Sequence, residues 1–200
     1  RRIDMTDEKK FVDGLIIKRP HDNAPDFVKF GISIKRKELG NWLRAESDDW
    51  INLKVKVNGS VSYGIAAAYS FGSYVAQILE LEQTSSNAYR VNKVVCAIDC
   101  GIVINPDIVK QQMEGSIIFG ISAATKSKVT VRDGRVEQSN FHDYPILRMN
   151  EVPEIEVLIV DSEESPEGIG EPGVPPVAPA LANALLAQTG VPTRELPIRF

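Results

Sequence analysis

Apolar and polar residues follow two different periods along the second part of the chain. Residues 89–98 are rich in valine and begin with an aromatic residue, a pattern that predicts a β-strand. Apolar side chains at positions 155, 157 and 159 alternate with their neighbours and predict a further strand. Residues 72–82 fit either a strand or a helix by periodicity alone.

A helix is predicted to begin at Asn105 and Pro106. The Asn side chain can cap free N–H groups, and Pro at the first helical position loses no hydrogen bond. The apolar spacing continues this helix to about Ala124. Gly115 and Gly120 lie inside it, and each costs about 1 kcal/mol relative to Ala. We therefore expect another part of the protein to pack closely against the helix backbone at these glycines.

Turn-forming residues mark the boundaries of the remaining predicted elements. Asp133 and Gly134 separate two short apolar runs and predict a hairpin with a type I′ turn. A second helix is predicted over about residues 179–189, closed by Gly190 as the residue after its last turn. Residues 196–200 are interpreted as a last strand.

Strands and helices intermingle without a repeated strand-helix-strand period, which favours the α+β class, with mixed sheets and packed helices. Residues 1–60 are harder to assign, because basic pairs interrupt their short apolar runs. We interpret them as a mixture of strands and one or two short helices. The predicted organisation is an N-terminal segment, 1–60, followed by a domain, 61–200.

Composition excludes several classes of protein. The chain has 200 residues, 43% of them hydrophobic, and a net charge of −4, values typical of a globular domain without a nucleic-acid surface. Neither a signal sequence nor a membrane span is predicted, because no apolar run is long enough. The chain does not begin with Met, which suggests a piece of something longer. Whether it works in the cytoplasm or the periplasm stays open.

The most unusual stretch is the glycine-proline loop, defined here as residues 168–176. Glycines flank Glu171, so a ligand can approach this carboxylate, and several prolines stiffen the loop. A lone glutamate on a rigid loop before a helix is a candidate general base. From spacing alone, a surface turn with a solvated glutamate is the commoner explanation.

Other reactive side chains are few. Cys96 and Cys100 are predicted to share one strand face as small core residues, since they supply only half of a metal or redox site. The two histidines are too few for a metal cage. Gln112 can recognise a heterocycle, although an ordinary polar residue on an amphipathic helix is the simpler interpretation. Residues 141–145 are interpreted as a strand end that packs its aromatic side chains.

Taken in order, four groups of residues resemble one family. They are similar to the C-terminal part of the molybdenum-binding large subunit of xanthine-dehydrogenase-type hydroxylases, above all the isoquinoline 1-oxidoreductase beta subunit and the related aldehyde oxidoreductases. The resemblance covers about residues 70–196. The groups are residues 94–106, 112–115 with 119–120, 138–145, and 168–176 with 178–180.

The resemblance implies a C-terminal domain of the molybdenum-cofactor-binding type and a role for three residues. Glu171 matches the family's general base, which deprotonates a molybdenum-bound hydroxyl during the hydroxylation of an aldehyde or an N-heterocycle. Gln112 matches a glutamine that lies against the molybdopterin cofactor, and Gly170 is implied to line the same site. No side chain is implied to ligate the metal, because the pterin holds it.

The resemblance also implies partners. The cofactor is expected in the molybdopterin cytosine dinucleotide form, with iron–sulfur clusters carried only by a small [2Fe-2S] partner subunit. The family's other cofactor loops lie upstream of anything in this sequence, so the remaining part of the large subunit is a second expected partner. An alternative interpretation is a non-catalytic remnant or interaction module that keeps the fold without a complete cofactor site.

Overall fold

The computed structural model describes residues 16–18, 31–33, 59–85 and 88–199. Its centre is a four-stranded sheet in the order β3 (Val61–Ser70), β4 (Ser73–Ser85), β5 (Ala88–Asp99) and β8 (Glu154–Ile159). Strands β3, β4 and β5 are antiparallel, and β8 runs parallel to β5. Two further pairs among the described residues, β1 (Ile16–Lys18) with β2 (Gly31–Ser33) and β6 (Val131–Arg132) with β7 (Arg135–Val136), each form a separate two-stranded sheet. In chain order the elements are β1 Ile16–Lys18, β2 Gly31–Ser33, β3 Val61–Ser70, β4 Ser73–Ser85, β5 Ala88–Asp99, α1 Pro106–Thr125, β6 Val131–Arg132, β7 Arg135–Val136, a 3-10 helix Met149–Glu151, β8 Glu154–Ile159 and α2 Val177–Thr189.

The central strand β4 resolves the ambiguity of residues 72–82. Both of its edges are paired, with Ala66 of β3 and Cys96 of β5 lying on either side of Gln77. A segment that satisfies its backbone through two neighbouring strands is a strand irrespective of its own periodicity. The predicted strands 89–98 and 155–159 are confirmed as β5 and β8.

One face of the sheet packs against both helices and forms the core. Its largest fully buried members come from β4 and β5 on the sheet side and from α1 and α2 on the helix side. At Gly64 a Cβ atom would overlap the Ala180 carbonyl oxygen, so the α2 backbone lies directly on β3. The core residues include Val75, Leu79, Val94, Cys96, Ile98, Met113, Ile117, Val177 and Leu181.

Helix α1 begins as predicted. The Asn105 side chain accepts hydrogen bonds from the backbone N–H groups of Asp107 and Ile108. The expectation of close packing is confirmed at Gly120, where a Cβ would lie 2.7 Å from Cγ2 of Val177. It is wrong at Gly115, where a Cβ would meet nothing within 4 Å, because Gly115 is on the exposed side of the helix.

The turn predictions are mostly confirmed. Asp133 and Gly134 both have positive φ, at 50° and 75°, as a type I′ turn requires. Gly190 ends α2 with φ 73°, and the helix begins two residues earlier than predicted. The predicted last strand is wrong within residues 196–199, since the Ile198 N–H donates to the Ala124 carbonyl at the end of α1 instead of to a strand.

Residues 141–145 are also not a strand end. The segment is a turn, because the Asp143 carboxylate accepts hydrogen bonds from the backbone N–H groups of Ser139 and Asn140. These bonds hold the pKa of Asp143 below its usual value, with the Asn140 N–H as the largest cause. Phe141 is exposed rather than packed.

The α+β class is confirmed, with a mixed sheet and packed helices. Most of the predicted segment 1–60 lies outside the described residues, and its boundary at residue 60 remains a prediction. Within the described part of the chain, no helix is long and apolar enough to cross a membrane.

Candidate active site

The glycine-proline loop is fixed at its first residue by the turn between β3 and β4. The Gly168 N–H donates to the Phe71 carbonyl at 2.9 Å, and the Ser73 hydroxyl donates to the Gly168 carbonyl at 2.7 Å. One residue earlier, the Glu167 N–H donates to the Cys100 carbonyl at 2.9 Å. Three bonds to rigid elements therefore set where the loop starts.

The second half of the loop is packed between the sheet and α1. The Gly173 carbonyl accepts a hydrogen bond of 2.7 Å from Nε2 of Gln77, which projects from β4. A Cβ on Gly173 would lie 2.9 Å from Cβ of Ser116 and 3.3 Å from Sδ of Met113, so the loop leaves no space for a side chain there. Glycine is required at this position by the close approach of α1.

Glu171 lies between these two anchored points. Its side chain is exposed, whereas Pro172 and Gly173, which follow it, are buried. Its backbone carbonyl accepts a hydrogen bond from the Val174 N–H at 3.1 Å. Among the described residues, no group donates a hydrogen bond to the Glu171 carboxylate, so its oxygen atoms are accessible to a ligand.

Gln112 lies on α1 next to the loop. Ser116, one turn later on the same helix face, is buried against Gly173, whereas Gln112 itself is exposed. The exposed side of α1 also carries Ile108 and Phe119, with exposed fractions of 50% and 65%. A polar amide thus lies between two exposed apolar side chains on the helix that contacts Gly173 of the loop.

Gln112, Gly170 and Glu171 are all exposed, and the contact of Gly173 with Ser116 and Met113 connects the loop to the helix that carries Gln112. Gly170 is exposed, and a Cβ there would meet nothing within 4 Å. Nothing in the geometry requires glycine at position 170 for packing, unlike at position 173. The open space leaves room for a ligand to approach the loop backbone.

The cysteines take the core role predicted for them. Among the described residues, Cys96 and Cys100 form no disulfide, and both are buried in the same hydrophobic cluster. Burial raises the pKa of the Cys96 thiol to about 12, so it stays protonated at neutral pH. In the part of the chain that the structure covers, no three His, Cys, Asp or Glu side chains are grouped so that they could hold a metal ion.

Sequence reasoning missed Gln77, the residue that connects the sheet to the loop. The signal was present, since Gln77 is a lone amide within the otherwise apolar run 74–79. A polar residue at the centre of a buried strand needs a hydrogen-bonding partner, so its presence predicts a specific contact at that position.

Comparison with known proteins agrees with the resemblance. Residues 29–153 match the family model of the molybdopterin cofactor-binding domain, a range that includes Gln112 and ends before Glu171. The beta subunit of isoquinoline 1-oxidoreductase from Brevundimonas diminuta is 41% identical over 156 residues, which are 78% of this chain and 20% of that protein. One of the subunits of nicotinate dehydrogenase from Pseudomonas putida is 35% identical over 136 residues, 68% of this chain and 11% of that protein.

A solved structure shares the fold. Quinoline 2-oxidoreductase from Pseudomonas putida 86 superposes with a TM-score of 0.57 and 26% identity, over 62% of this chain and 17% of that chain. This chain therefore spans a fifth or less of the length of these relatives. The family match covers more than half of the 200 residues. The chain belongs to the family of molybdopterin cofactor-binding domains, as its sequence motifs predicted.

Proposed function

We propose that this chain is part of a molybdenum hydroxylase, in which Glu171 is the general base and Gln112 contacts the cofactor. The observation that carries the proposal is the anchored glycine-proline loop of a molybdopterin-binding domain, which presents an unpartnered, exposed carboxylate and packs at Gly173 against the helix that carries Gln112. The substrate class is an aldehyde or an N-heterocycle. Two relatives support this class, since they are named for isoquinoline and for nicotinate.

The exposed groups fit a pterin. The edge of a pterin carries both hydrogen-bond donors and acceptors, and the Gln112 amide can supply both in return. Gly115, one turn along, has open space around it, so a flat heterocycle could approach the helix backbone there. Molybdopterin binds its metal through its own sulfur atoms, and bound cofactor supplies the oxygen that enters the substrate and accepts the electrons.

Glu171 provides the base that this chemistry needs. A carboxylate that is not a metal ligand can accept a proton from a hydroxyl held within hydrogen-bond reach, about 2.6–3.2 Å. The anchored backbone on both sides of Glu171 restricts where its carboxylate oxygens can lie. The base is therefore positioned before the substrate arrives, and little reorganisation is needed for the proton transfer.

The complete site requires further chains or segments. We propose that the remaining part of a large subunit covers the exposed apolar residues of this surface, including Ile104, which is 85% exposed. We further propose the cytosine dinucleotide form of the cofactor, and iron–sulfur clusters in a small [2Fe-2S] partner. The names of the relatives, each a subunit of an enzyme, support the need for further subunits.

Substitution of Gln112 tests the cofactor contact. We expect Gln112→Leu to weaken cofactor binding by about tenfold, because a lost hydrogen bond to a heterocycle is worth about 1.4 kcal/mol, and so to lower the molybdopterin content of the assembled enzyme. The content is measured by pterin fluorescence after oxidation and by molybdenum analysis. Gln111→Leu is the matched control, since Gln111 is the adjacent exposed glutamine on α1. Equal cofactor loss in both variants, or in neither, would argue against the contact.

A further inference from the structure

Gln77 is a polar residue on the apolar face of the sheet. It is fully buried in the central strand β4, between Val75 and Leu79, which point to the same face. Its neighbour across the strand pair is Cys96, and Gln77 Nε2 lies 4.0 Å from the Cys96 sulfur. The three side chains around Gln77, those of Val75, Leu79 and Cys96, are all buried and belong to the hydrophobic core.

Packing alone does not explain a glutamine at this position. Its Oε1 atom is buried and has no hydrogen-bond partner among the described residues. A buried amide oxygen without a donor is unfavourable, so an apolar side chain of similar volume would suit the core at least as well. What an apolar side chain cannot do is donate to the Gly173 carbonyl, as Gln77 Nε2 does at 2.7 Å.

The hydrogen bond between Gln77 and Gly173 holds the chain two residues after Glu171. Gly173 follows Glu171 by two positions, and the intervening Pro172 has a fixed φ, so little freedom separates the two residues. On its other side, Gly173 lies against Ser116 and Met113 of α1. At Gly173 the sheet therefore holds the second half of the loop through one side-chain hydrogen bond, while the helix limits the movement of the loop by contact.

We propose that Gln77 is the positioning residue of the active site, which holds the glycine-proline loop so that the Glu171 carboxylate reaches the reacting hydroxyl. This inference rests on the proposed function of Glu171. A misplacement of about 1 Å in a catalytic group costs on the order of 100-fold in rate. The effect of losing the bond is therefore expected in kcat, because the substrate and cofactor contacts are made by other groups.

The primary test replaces Gln77 by Met in the enzyme that contains this chain. We expect Gln77→Met to lower kcat by about tenfold or more per molybdenum, with KM within about threefold of wild type and an unchanged molybdenum content. Gln188→Met is the matched control. Gln188 also donates through its amide nitrogen, to Gln83 at 3.2 Å, and its Oε1 also has no partner among the described residues. This control is expected to leave kcat unchanged.

A second variant gives a pH readout. In Gln77→Glu the carboxyl can donate to the Gly173 carbonyl only while it is protonated, and burial raises the pKa of such a group. We expect the kcat of Gln77→Glu, relative to wild type, to be highest at low pH and to fall as pH rises through that pKa. The ratio for Gln77→Met is expected to be independent of pH, since Met has no proton to lose.

Three results would overturn the inference. One is a kcat for Gln77→Met within about twofold of wild type; another is a Gln77→Glu ratio that does not change with pH. The third is a loss of activity that follows the loss of molybdenum, because this would assign Gln77 to folding only. Glu171→Gln is measured in parallel. If that variant is active, the proposed function fails; if it is inactive and Gln77→Met is active, only the role of Gln77 fails.

Discussion

Replacement of Glu171 by Gln is expected to lower kcat by about 10²–10⁴-fold, the usual contribution of a general base. The amide keeps the size of the side chain but cannot accept the proton. Because the loop is fixed by bonds at Gly168 and Gly173, the substitution should leave the loop and the bound molybdenum in place. Steady-state kinetics normalised to molybdenum content provide the measurement.

Two controls make the Glu171 result specific. Glu163→Gln changes an exposed carboxylate in the segment before the loop and is expected to leave kcat unchanged. Glu171→Asp keeps the base but withdraws it by one methylene, so we expect a loss smaller than that of Glu171→Gln. Turnover near the wild-type level in Glu171→Gln, with molybdenum present, would contradict the catalytic assignment.

The largest expected effect on stability comes from Gly64→Ala. A Cβ at this position overlaps the Ala180 carbonyl oxygen and the Ala184 nitrogen, and both belong to the α2 backbone. A flexible side chain cannot absorb such an overlap, so α2 must move away from β3. We expect the free energy of unfolding to fall by about 3 kcal/mol, the upper end of the range of about 1–3 kcal/mol that overpacking of a core typically costs, because the overlap is with backbone atoms.

The matched control for this prediction is Gly115→Ala. A Cβ at Gly115 meets nothing within 4 Å, and the residue lies inside α1. Ala is preferred to Gly in a helix interior, so the free energy of unfolding should rise by about 0.5–1 kcal/mol. Urea unfolding followed by circular dichroism measures both variants. A Gly64→Ala protein as stable as the wild type would show that α2 does not lie against β3 as described.

The sequence predicted the features that depend on local chemistry. Asn105 with Pro106, Asp133 with Gly134, and Gly190 each specify a backbone conformation by themselves, and each is found where it was expected. Features that depend on contacts between distant residues were less accessible. The sequence cannot show that Gly120 packs against Val177 while Gly115 faces open space, because both are glycines in the same helix.

In the candidate site, too, local features could be predicted from the sequence and long-range contacts could not. Glu171 is recognisable because glycines and prolines surround it in the sequence. Its anchoring is not, since the partners of the loop are Phe71, Ser73 and Gln77, which precede it by about a hundred positions. The wrong prediction for residues 141–145 has a local cause, namely the hydrogen bonds of Asp143 to the preceding backbone, which produce a turn.

Molybdenum and pterin analysis of the enzyme that contains this chain, purified with its natural partners, tests the central claim most directly. Family membership and the open surface around Gln112 and Glu171 predict that both are present in stoichiometric amounts with this chain. They also predict that both remain in Glu171→Gln while its turnover is lost. An intact assembly that contains neither molybdenum nor pterin would contradict the account and favour a non-catalytic module with the same fold.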